Sequence, residues 1–450
     1  MRPSVLVLLL CGLVLLVAGC VQRVDESSAP QMPGGNAIST PTPNGQADGK
    51  VELTLFTWVE QDELAVNQAL LKEFEAAHSG IKVKVINISG SREAMQKLET
   101  MFSTKTGPDV MSLHGAYYTG FAEAGVLADL DKFISDDPDF QIQDVHPRLV
   151  ELCRYKGKLY SLPRYTSVYA LFYNKALFDA EGVVYPGKGS WTWTDYLKAA
   201  KALTKDRNGD GKPDQWGCVI DFWVARLYPW LWSNDADLMD KDLKACTIDS
   251  PNAQEALQFL VDLRHKDKVC PATTSTERNE ALNMFARGTV GMYMSGPWDI
   301  QTLNRAENLK WDVAPLPRKK QQATMLGTEN YAVYAYSKHP KEAWELYKFL
   351  LSAKSQAVMA EKLDKMPSRM SVLNGAFGKG KASYNRGVYV QALEYARQPL
   401  NFPEYSQVEG VFQAEYDRIW IKSEPVADGL KTAAQKVNQK LAELRKSKGN

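Results

Sequence analysis

The sequence predicts an α/β protein built on a parallel sheet. The segment VELTLFTW, from Val51, alternates apolar and polar residues and is rich in β-branched side chains, which is typical of a strand. Residues 64–78 have helical periodicity. Gly80 ends that helix, and IKVKVINI is a second alternating strand. Because a strand, a helix and a strand in this order join parallel neighbours, the chain is expected to belong to the α/β class.

The same alternation of helices and strands continues to the C-terminus. A helix over 93–102 is followed by PDVMSL, a short buried strand, and later strands are predicted at TVGMYM and YAVYAY. The later predicted helices cover 195–203, 252–266, 279–287, 341–351, 356–363 and 428–445. A chain of 450 residues with this many elements is long enough for two or three domains.

The N-terminus has the layout of a bacterial lipoprotein signal. Met-Arg-Pro precedes an apolar run over 5–18, and Gly19 precedes Cys20. These are the charged region, the short apolar region and the small-residue cleavage site of a secretory signal. A Cys at this place resembles a lipobox, in which its sulfur is acylated and the chain is cut before it. Residues 1–19 are therefore predicted to be a signal peptide; a transmembrane anchor is the alternative, but the apolar run is short for spanning.

Residues 20–48 are predicted to be a disordered tether. They are rich in Ser, Pro, Gly, Asn and Gln and have almost no large apolar residue, so they bury too little surface to order themselves. Several acyl chains on Cys20 would anchor the protein stably. We therefore expect an extracytoplasmic protein, lipid-anchored to the outer face of the cell membrane.

Substituting Cys20→Ala tests the anchor. The variant is expected to be released to the medium or to stay uncleaved, because a thioether link needs the sulfur. Metabolic labelling with a fatty acid should label the wild type alone. Equal label in both proteins would contradict the lipobox.

Charge and motifs argue against several classes of function. The net charge is +1 with Lys and Arg spread along the chain, so there is no footprint for nucleic acid. Neither HExxH nor GxSxG occurs, and GVVYPGKG has Gly189 where a P-loop needs Ser or Thr. We expect no enzymatic activity, although spacing alone leaves a carboxylate pair for glycoside hydrolysis open.

Four cysteines remain once the signal and the acylation site are set aside. None forms CxxC, and none has metal-ligand spacing with His. Outside the cytoplasm they allow disulfides in three pairings, with free buried thiols as the alternative. They are Cys153, Cys218, Cys246 and Cys270.

Seven segments between residues 51 and 441 carry a resemblance to a known family. They are TLFTW with KEFEAAHSGIKVKV; GPDVMSLHGAYYTGFAEAGVLADL; GKLYSLPRYTSVYALFYNKALFDAEG; SWTWTDYLKAAKALTKDRNGDGKPDQWG; AQEALQFLVDL; FARGTVGMYMSGPWD; and AVYAYSKHPKEAWELYKFLLSAKSQ. In this order and spacing they resemble the extracellular solute-binding proteins of ABC importers, in the carbohydrate-binding group that includes maltose-binding protein.

The resemblance implies a two-lobed periplasmic-binding-protein-like fold of the class II type, with hinge crossings and a ligand cleft between the lobes. The crossings are expected near residues 165–169, 317–325 and 364–367. Lobe 1 would then take residues 49–165 plus 324–363, and lobe 2 would take 166–323 plus 364–450.

A sugar site needs flat aromatic faces and polar side chains, and this chain has 11 Trp and 20 Tyr. Trp58 ends the first strand, at the edge where α/β sheets bind ligands. Trp298 follows Gly-Pro, which fixes an exposed turn. Core packing is the alternative for each aromatic residue, and solvated surface for each acid. The predicted ligand-binding residues are Trp58, Glu60, Gln61, Asp62, His114, Tyr117, Asp221, Trp223, Trp230, Trp298, Asp299, Tyr331, Arg369 and Glu409.

The chain departs from the maltose-binding pattern after PDVMSL, with no Trp at the Leu113 position and no Asp near Ala116. A different saccharide is therefore expected. The resemblance implies a monomeric receptor that closes on its sugar and delivers it to the permease subunits of an ABC transporter. The alternatives are an extracytoplasmic carbohydrate-active enzyme, a sensor domain, or a binding protein for a non-sugar such as a polyol phosphate. For the last, Arg226, Arg369 and Arg164 are the candidate contacts.

The run DRNGDGKPD resembles a calcium-binding loop. Oxygen ligands stand at positions 1, 3, 5 and 9 of an EF-hand-like loop, which suits Ca²⁺, but position 12 is Gly217 rather than Glu. A structural calcium ion is one hypothesis, and a turn of Asn, Asp and Gly is the other; no other cofactor is predicted. The candidate ligands are Asp206, Asn208, Asp210 and Asp214.

Overall fold

The computed structural model describes residues 49–187, 191–221, 223–273, 279–380, 382–399 and 402–448. The predicted signal peptide and tether, with Cys20, lie outside these residues. In the described segments, no helix has both the length and the apolar character needed to cross a membrane.

The strands form two main sheets and one small hairpin. The larger sheet has the order β12-β6-β11-β3-β1-β2, the smaller has the order β10-β7-β9-β8, and β4 pairs with β5. In chain order they are β1 (Val51–Thr57), β2 (Ile81–Asn87), β3 (Val110–His114), β4 (Arg154–Tyr155), β5 (Lys158–Leu159), β6 (Leu162–Val168), β7 (Ala170–Asn174), β8 (Trp216–Val219), β9 (Val290–Ser295), β10 (Trp311–Ala314), β11 (Leu326–Val333) and β12 (Met366–Pro367).

The helices cover both sheets. They are α1 (Gln61–Ala77), α2 (Ser91–Ser103), α3 (Tyr118–Glu123), α4 (Leu130–Ser135), α5 (Pro147–Glu151), α6 (Lys175–Ala180), α7 (Trp193–Leu203), α8 (Tyr228–Ser233), α9 (Pro251–His265), α10 (Glu280–Ala286), α11 (Ile300–Asn304), α12 (Pro340–Leu350), α13 (Ala353–Leu363), α14 (Met370–Val372), α15 (Gly387–Ala392), α16 (Tyr405–Lys422) and α17 (Val426–Lys448). A helix or a strand lies at each segment where the periodicity predicted one.

The predicted βαβ unit is confirmed, but both main sheets are mixed rather than parallel, since β11 is antiparallel to β3 and β6, and β7 is antiparallel to β9 and β10. β1 pairs with β2 in parallel, with Val51 opposite Ile81, and with β3 on its other side, also in parallel. Leu71 and Phe74 of α1 pack into the core beneath this sheet, which explains the apolar stripe read from the sequence.

The strand predicted over 331–336 is wrong in its bounds, because β11 begins at Leu326 and ends at Val333. The register of β11 against β6 shifts between Glu329 and Asn330, a β-bulge. Thr328, Glu329 and Asn330 are polar but buried, so the sequence shows no apolar alternation there. Tyr331 therefore lies inside the sheet rather than before it.

The chain crosses between the two sheets at places close to those expected. β6 ends in the larger sheet at Val168 and β7 starts the smaller sheet at Ala170. The path returns between β10 and β11, and β12 pairs with β6. Side chains of α16 and α17 pack in the core beside the smaller sheet. We use the name lobe 1 for the larger sheet with its helices and lobe 2 for the smaller sheet with its helices. β6 and β12 belong to the larger sheet, yet β6 runs past residue 165 and β12 lies after residue 363. The exact residue boundaries of the lobes therefore stay a prediction.

The four cysteines are free and buried. Cys153 lies in the core under the larger sheet, and the other three lie in the core beside the smaller one. Burial, followed by the neighbouring thiol of Cys218, raises the pKa of Cys270 well above its usual range. Cys218 and Cys270 are thus neighbouring thiols. Of the three pairings, the one that joins them would also join Cys153 to Cys246, which lie in different cores.

Candidate ligand-binding site

A cavity of about 320 Å³ lies between the two lobes. Strand ends and hinge crossings from both sheets form its walls, and its volume is in the lower range for small-molecule sites. Five of the predicted residues line it: Trp58, Glu60, His114, Trp223 and Trp298. The other lining residues are Val59, Glu63, Ser91, Tyr165, Thr166, Ser167, Tyr169, Arg226, Pro297, Met325, Gly327, Thr328, Glu329, Lys365 and Met366.

Trp298 presents an exposed indole to this cavity. It is 40% exposed, whereas most of the large apolar side chains are buried. β9 ends at Ser295, and Pro297 opens a short 3-10 turn that carries the indole. A Cβ on Gly296 would lie 2.1 Å from the indole ring, so only glycine allows the ring to fold back against the strand end. The result is a flat apolar face on a stiff turn.

Arg226 and Tyr169 support the indole. The rings of Tyr169 and Trp298 meet edge to face at 5.5 Å between centroids. The guanidinium carbon of Arg226 lies 4.6 Å from the Tyr169 ring centroid and 5.2 Å from that of Trp298. Asp221 accepts two hydrogen bonds from Arg226, at 3.0 and 2.8 Å, and so neutralises it.

Asp299 and Asp221 adjoin the main cavity without lining it. Both line a smaller cavity of about 70 Å³, which shares Arg226 and Trp298 with the main one. Asp299 accepts hydrogen bonds from the hydroxyls of Tyr293 at 2.9 Å and Ser295 at 2.5 Å. Burial raises the pKa of Asp299 despite these donors.

A buried network of charges forms another part of the wall. Arg164 lies 2.5 Å from a carboxylate oxygen of Glu63 and also contacts Glu329. Lys365 lies 2.8 Å from the second oxygen of Glu63, and the Tyr165 hydroxyl donates to Glu329. Burial works to raise the pKa of Glu63, but Arg164 and Lys365 outweigh it, so the pKa is lowered. For Glu329 burial prevails, and its pKa is raised.

Besides Glu329 Oε1, which forms an ion pair with Arg164, three buried polar atoms of cavity-lining residues make no hydrogen bond of good geometry to any described residue. They are the hydroxyls of Tyr169 and Thr328 and the Nη1 of Arg226. Buried polar groups in folded proteins nearly always have a partner. All three atoms are shielded from solvent, and the Tyr169 hydroxyl interacts with Arg226.

His114 supplies a neutral imidazole. Its Nδ1 accepts from the backbone N–H of Ala116 at 3.3 Å, which places the ring proton on Nε2. Burial lowers the pKa of His114 to about 4. Between pH 5 and 8 the residue is thus an uncharged hydrogen-bond donor.

Three of the predicted residues are placed elsewhere, and their expected position in the cleft is corrected. Trp230 is buried and packs 5.6 Å from the ring of Phe259, because the short helix α8 turns its apolar residues into the lobe 2 core. Tyr331 is buried within β11, where its hydroxyl accepts from Arg164. The guanidinium of Arg369 donates to the backbone carbonyls of Leu351, Gln141 and Phe140, so it joins loops of the core.

The remaining four predicted residues lie beside the cavity. Gln61 is exposed in the first turn of α1, and Asp62 forms an ion pair with Arg305 of lobe 2. The hydroxyl of Tyr117 donates to Glu409, so this pair also links the lobes. None of the four lines the cavity, and ligand contact by any of the fourteen residues stays a prediction.

Sequence reasoning missed the hinge segments as parts of the wall. Tyr165 and Tyr169 lie at the first predicted crossing, Thr328 and Glu329 follow the second, and Lys365 lies in the third. The predicted crossings did indicate these residues, because a chain segment that crosses between lobes must pass the base of the cleft. It was overlooked because these residues are neither Trp nor at the end of a predicted strand.

The loop over 206–214 is closed by its own hydrogen bonds. Asp206 accepts from the backbone N–H groups of Gly209 and Gly211, at 2.7 and 2.8 Å. Asp214 accepts from those of Arg207 and Asn208. Among the described residues, no cluster of three or more His, Cys, Asp or Glu side chains suits a metal ion. This network favours the turn, and calcium stays a prediction.

Chelation tests the calcium hypothesis. If an ion is bound, EDTA should lower the thermal midpoint of metal-loaded protein, and Asp210→Ala should abolish that sensitivity. The carboxylate of Asp210 holds the backbone N–H of Lys212, so the variant alone is expected to lose little stability. An EDTA effect of equal size in both proteins would contradict an ion in this loop.

Two lobes with an aromatic cavity between them are the architecture of a solute receptor. The sequence profile of the bacterial extracellular solute-binding protein family matches residues 58–357, and the chain belongs to this family. The predicted family and the predicted two-lobed α/β fold are confirmed. Since the family is extracellular, the protein works outside the cytoplasm.

Two individual relatives and one solved structure share between 23% and 29% of aligned residues with this chain. A binding protein of Brucella abortus is 29% identical over 288 residues, which are 62% of this chain and 66% of that protein, just under two thirds of its length. The galactooligosaccharide-binding protein of Bacillus subtilis is 23% identical over 368 residues, 79% of this chain and 81% of that protein. An ABC substrate-binding protein of Listeria monocytogenes, solved in complex with cycloalternan, superposes with a TM-score of 0.80 at 25% identity, covering 87% of this chain and 99% of that chain.

Proposed function

We propose that the protein captures an oligosaccharide by lobe closure and delivers it to the permease subunits of an ABC transporter, while acylated Cys20 holds it at the membrane. The observation that carries this proposal is the presence of three indoles and of polar side chains in the wall of one cavity between the lobes. Trp58, Trp223 and Trp298 offer faces for the C–H surfaces of sugar rings. The side chains of Glu60 and of neutral His114 line the same cavity and offer hydrogen bonds to sugar hydroxyls. The ligands named for the Bacillus and Listeria proteins support the same class.

Electrostatics favour a neutral ligand over a polyol phosphate. An anion would need cations that are not already neutralised. Arg226 is paired with Asp221, Arg164 with Glu63 and Glu329, and Lys365 with Glu63. Arg369, the other candidate, does not line the cavity. Placing a phosphate here would add negative charge beside carboxylates that are already buried.

Both lobes contribute residues to the cavity wall, and this supports lobe closure around a ligand. Trp58 directly follows β1 and His114 ends β3, both in lobe 1, whereas Trp223 and Trp298 belong to lobe 2. A ligand that contacts both sets binds the closed form better than the open form and therefore shifts the population toward closure.

A thermal-shift screen of the mature protein tests the proposal. The panel holds neutral oligosaccharides of different linkage and length, matched monosaccharides, sugar phosphates and inorganic phosphate. At least one neutral oligosaccharide should raise the midpoint by mass action, and the phosphates should not. A shift by phosphorylated compounds alone would overturn the assignment to neutral sugars.

We infer that the ligand leaves the protein unchanged. Glu63 and Glu329 both engage Arg164, so neither carboxylate is free of a cation, and the family and its relatives are receptors. The saccharide recovered after prolonged incubation should be intact by mass spectrometry. New reducing ends, lost in a Glu329→Gln variant that still binds, would support the carbohydrate-active enzyme instead.

A further inference from the structure

Glu409 connects the two lobes beside the cavity. It lies on α16 in the lobe 2 core and is only 6% exposed. Its Oε1 accepts from the indole Nε1–H of Trp223 at 3.2 Å, and its Oε2 accepts from the hydroxyl of Tyr117 at 3.0 Å. Trp223 belongs to lobe 2, whereas Tyr117 follows β3 of lobe 1. One buried carboxylate therefore receives a donor from each lobe.

Both donors lead directly to the cavity wall. Trp223 lines the cavity, and the ring of Tyr117 meets that of His114, another lining residue, edge to face at 5.7 Å. The same helix also fixes the backbone next to the indole, because the side-chain carbonyl of Gln413 accepts from the N–H of Val224 at 2.8 Å. The position of α16 thus sets the orientation of Trp223.

We propose that Glu409 is a positioning residue that couples lobe closure to the orientation of Trp223. Tyr117 and Glu409 belong to different lobes, so their hydrogen bond holds the lobes together and is expected to favour the closed form. Because the same carboxylate holds the indole, closure also fixes one aromatic face of the cavity. The nature of the ligand rests on the proposed function, but the coupling between lobes does not.

Tyr117→Phe removes one hydroxyl and keeps the ring that packs on His114. Paired spin labels report the distance between lobes when they are placed at exposed positions through Lys72→Cys in α1 and Lys198→Cys in α7, since the four native cysteines are buried. In ligand-free protein, Tyr117→Phe should reduce the population at the closed distance. Its affinity for the saccharide found by the screen should fall about tenfold, as for a lost hydrogen bond to a charged group.

Arg305→Ala is the matched control. It removes a different contact between the lobes, the pair with Asp62, in which both side chains are more than half exposed. An exposed ion pair contributes little, so affinity should stay within about twofold of wild type. An interlobe distance distribution for Tyr117→Phe identical to that of wild type would overturn the proposal, and this arm needs no ligand. A failed sugar screen therefore leaves the test in place.

A double-mutant cycle tests the coupling itself. Trp223→Phe keeps an aromatic ring but cannot donate to Glu409. If one carboxylate couples the two donors, the effects of Tyr117→Phe and Trp223→Phe on the closed population should be non-additive. Additive effects would show that the two hydrogen bonds act independently, and the coupling would be refuted.

Discussion

Arg164→Met is expected to destabilise the protein by about 3–5 kcal/mol at neutral pH, the usual loss when one partner of a buried ion pair is removed. Arg164 is 4% exposed and touches both Glu63 and Glu329. Without it, two buried carboxylates keep only Lys365 as a cation. Urea unfolding monitored by circular dichroism would give the difference in the free energy of unfolding.

The loss should depend on pH in a predictable direction. In the wild type the pKa of Glu63 is lowered, so its contribution is present above the unfolded value of about 4.3 and is lost as pH falls. In Arg164→Met, burial is opposed less, so the pKa of Glu63 should rise above its unfolded value and the pKa of Glu329, already raised in the wild type, should rise further. The folded variant then binds more protons than the unfolded chain, so its deficit should shrink as pH falls from 7 to 5.

Lys365→Met is the control for this network. It removes a cation from Glu63 but leaves Arg164, and the Lys365 side chain is 17% exposed. We expect a smaller loss of stability than for Arg164→Met. If Arg164→Met lost no stability at pH 7, or lost more at pH 5, the description of these carboxylates as charged and held by Arg164 would be wrong.

Trp298→Ala should weaken saccharide binding by about 2 kcal/mol or more, the scale of an aromatic hot spot. Its indole is 40% exposed in the ligand-free cavity, so little core packing is lost and the thermal midpoint without ligand should stay close to wild type. Titration calorimetry with the saccharide found by the screen measures the first quantity, and a thermal melt measures the second.

Trp230→Ala is the matched comparison, because it should lose stability where Trp298→Ala should lose binding. This indole is 4% exposed and packs among aromatic rings of lobe 2, so its removal should cost about 3–5 kcal/mol of stability. Unchanged binding by Trp298→Ala, or its failure to fold, would refute the assignment of this face of the cavity. Gly296→Ala adds a further check, because a Cβ there must displace the indole without removing it.

Elements that follow one periodicity were predictable from the sequence, and those that break it were not. β1 and α1 have clean patterns, and both were expected within three residues of their observed ends. β11 was not, because its bulge and its buried Thr328, Glu329 and Asn330 hide the alternation. Two of these side chains have partners from distant sequence: Arg164 and the Tyr165 hydroxyl contact Glu329, and the Asn330 amide donates to the Ser161 hydroxyl.

The site was predictable where a strand delivers a residue to its carboxyl end. Trp58 and His114 were expected at the cavity by that rule, and Trp298 by the exposed turn that Gly-Pro fixes. Trp230 and Arg369 were predicted on other grounds and do not line the cavity, because a local pattern does not tell a core aromatic from an exposed one, or a buried arginine that holds carbonyls from one that faces a ligand. Only the tertiary contacts of α8 and of the Phe140 loop decide these cases.

The position of β11 has a consequence for how the protein is made. It is an interior strand, flanked by β6 and β3, yet it begins at Leu326, long after β6 has ended at Val168. A nascent chain that lacks β11 cannot close the larger sheet, and such distant pairing makes folding slow. The larger sheet can therefore be completed only after the chain has been synthesised as far as Val333. For a protein that works outside the cytoplasm, that delay is useful, because an unfolded chain is the form that a secretion channel can thread.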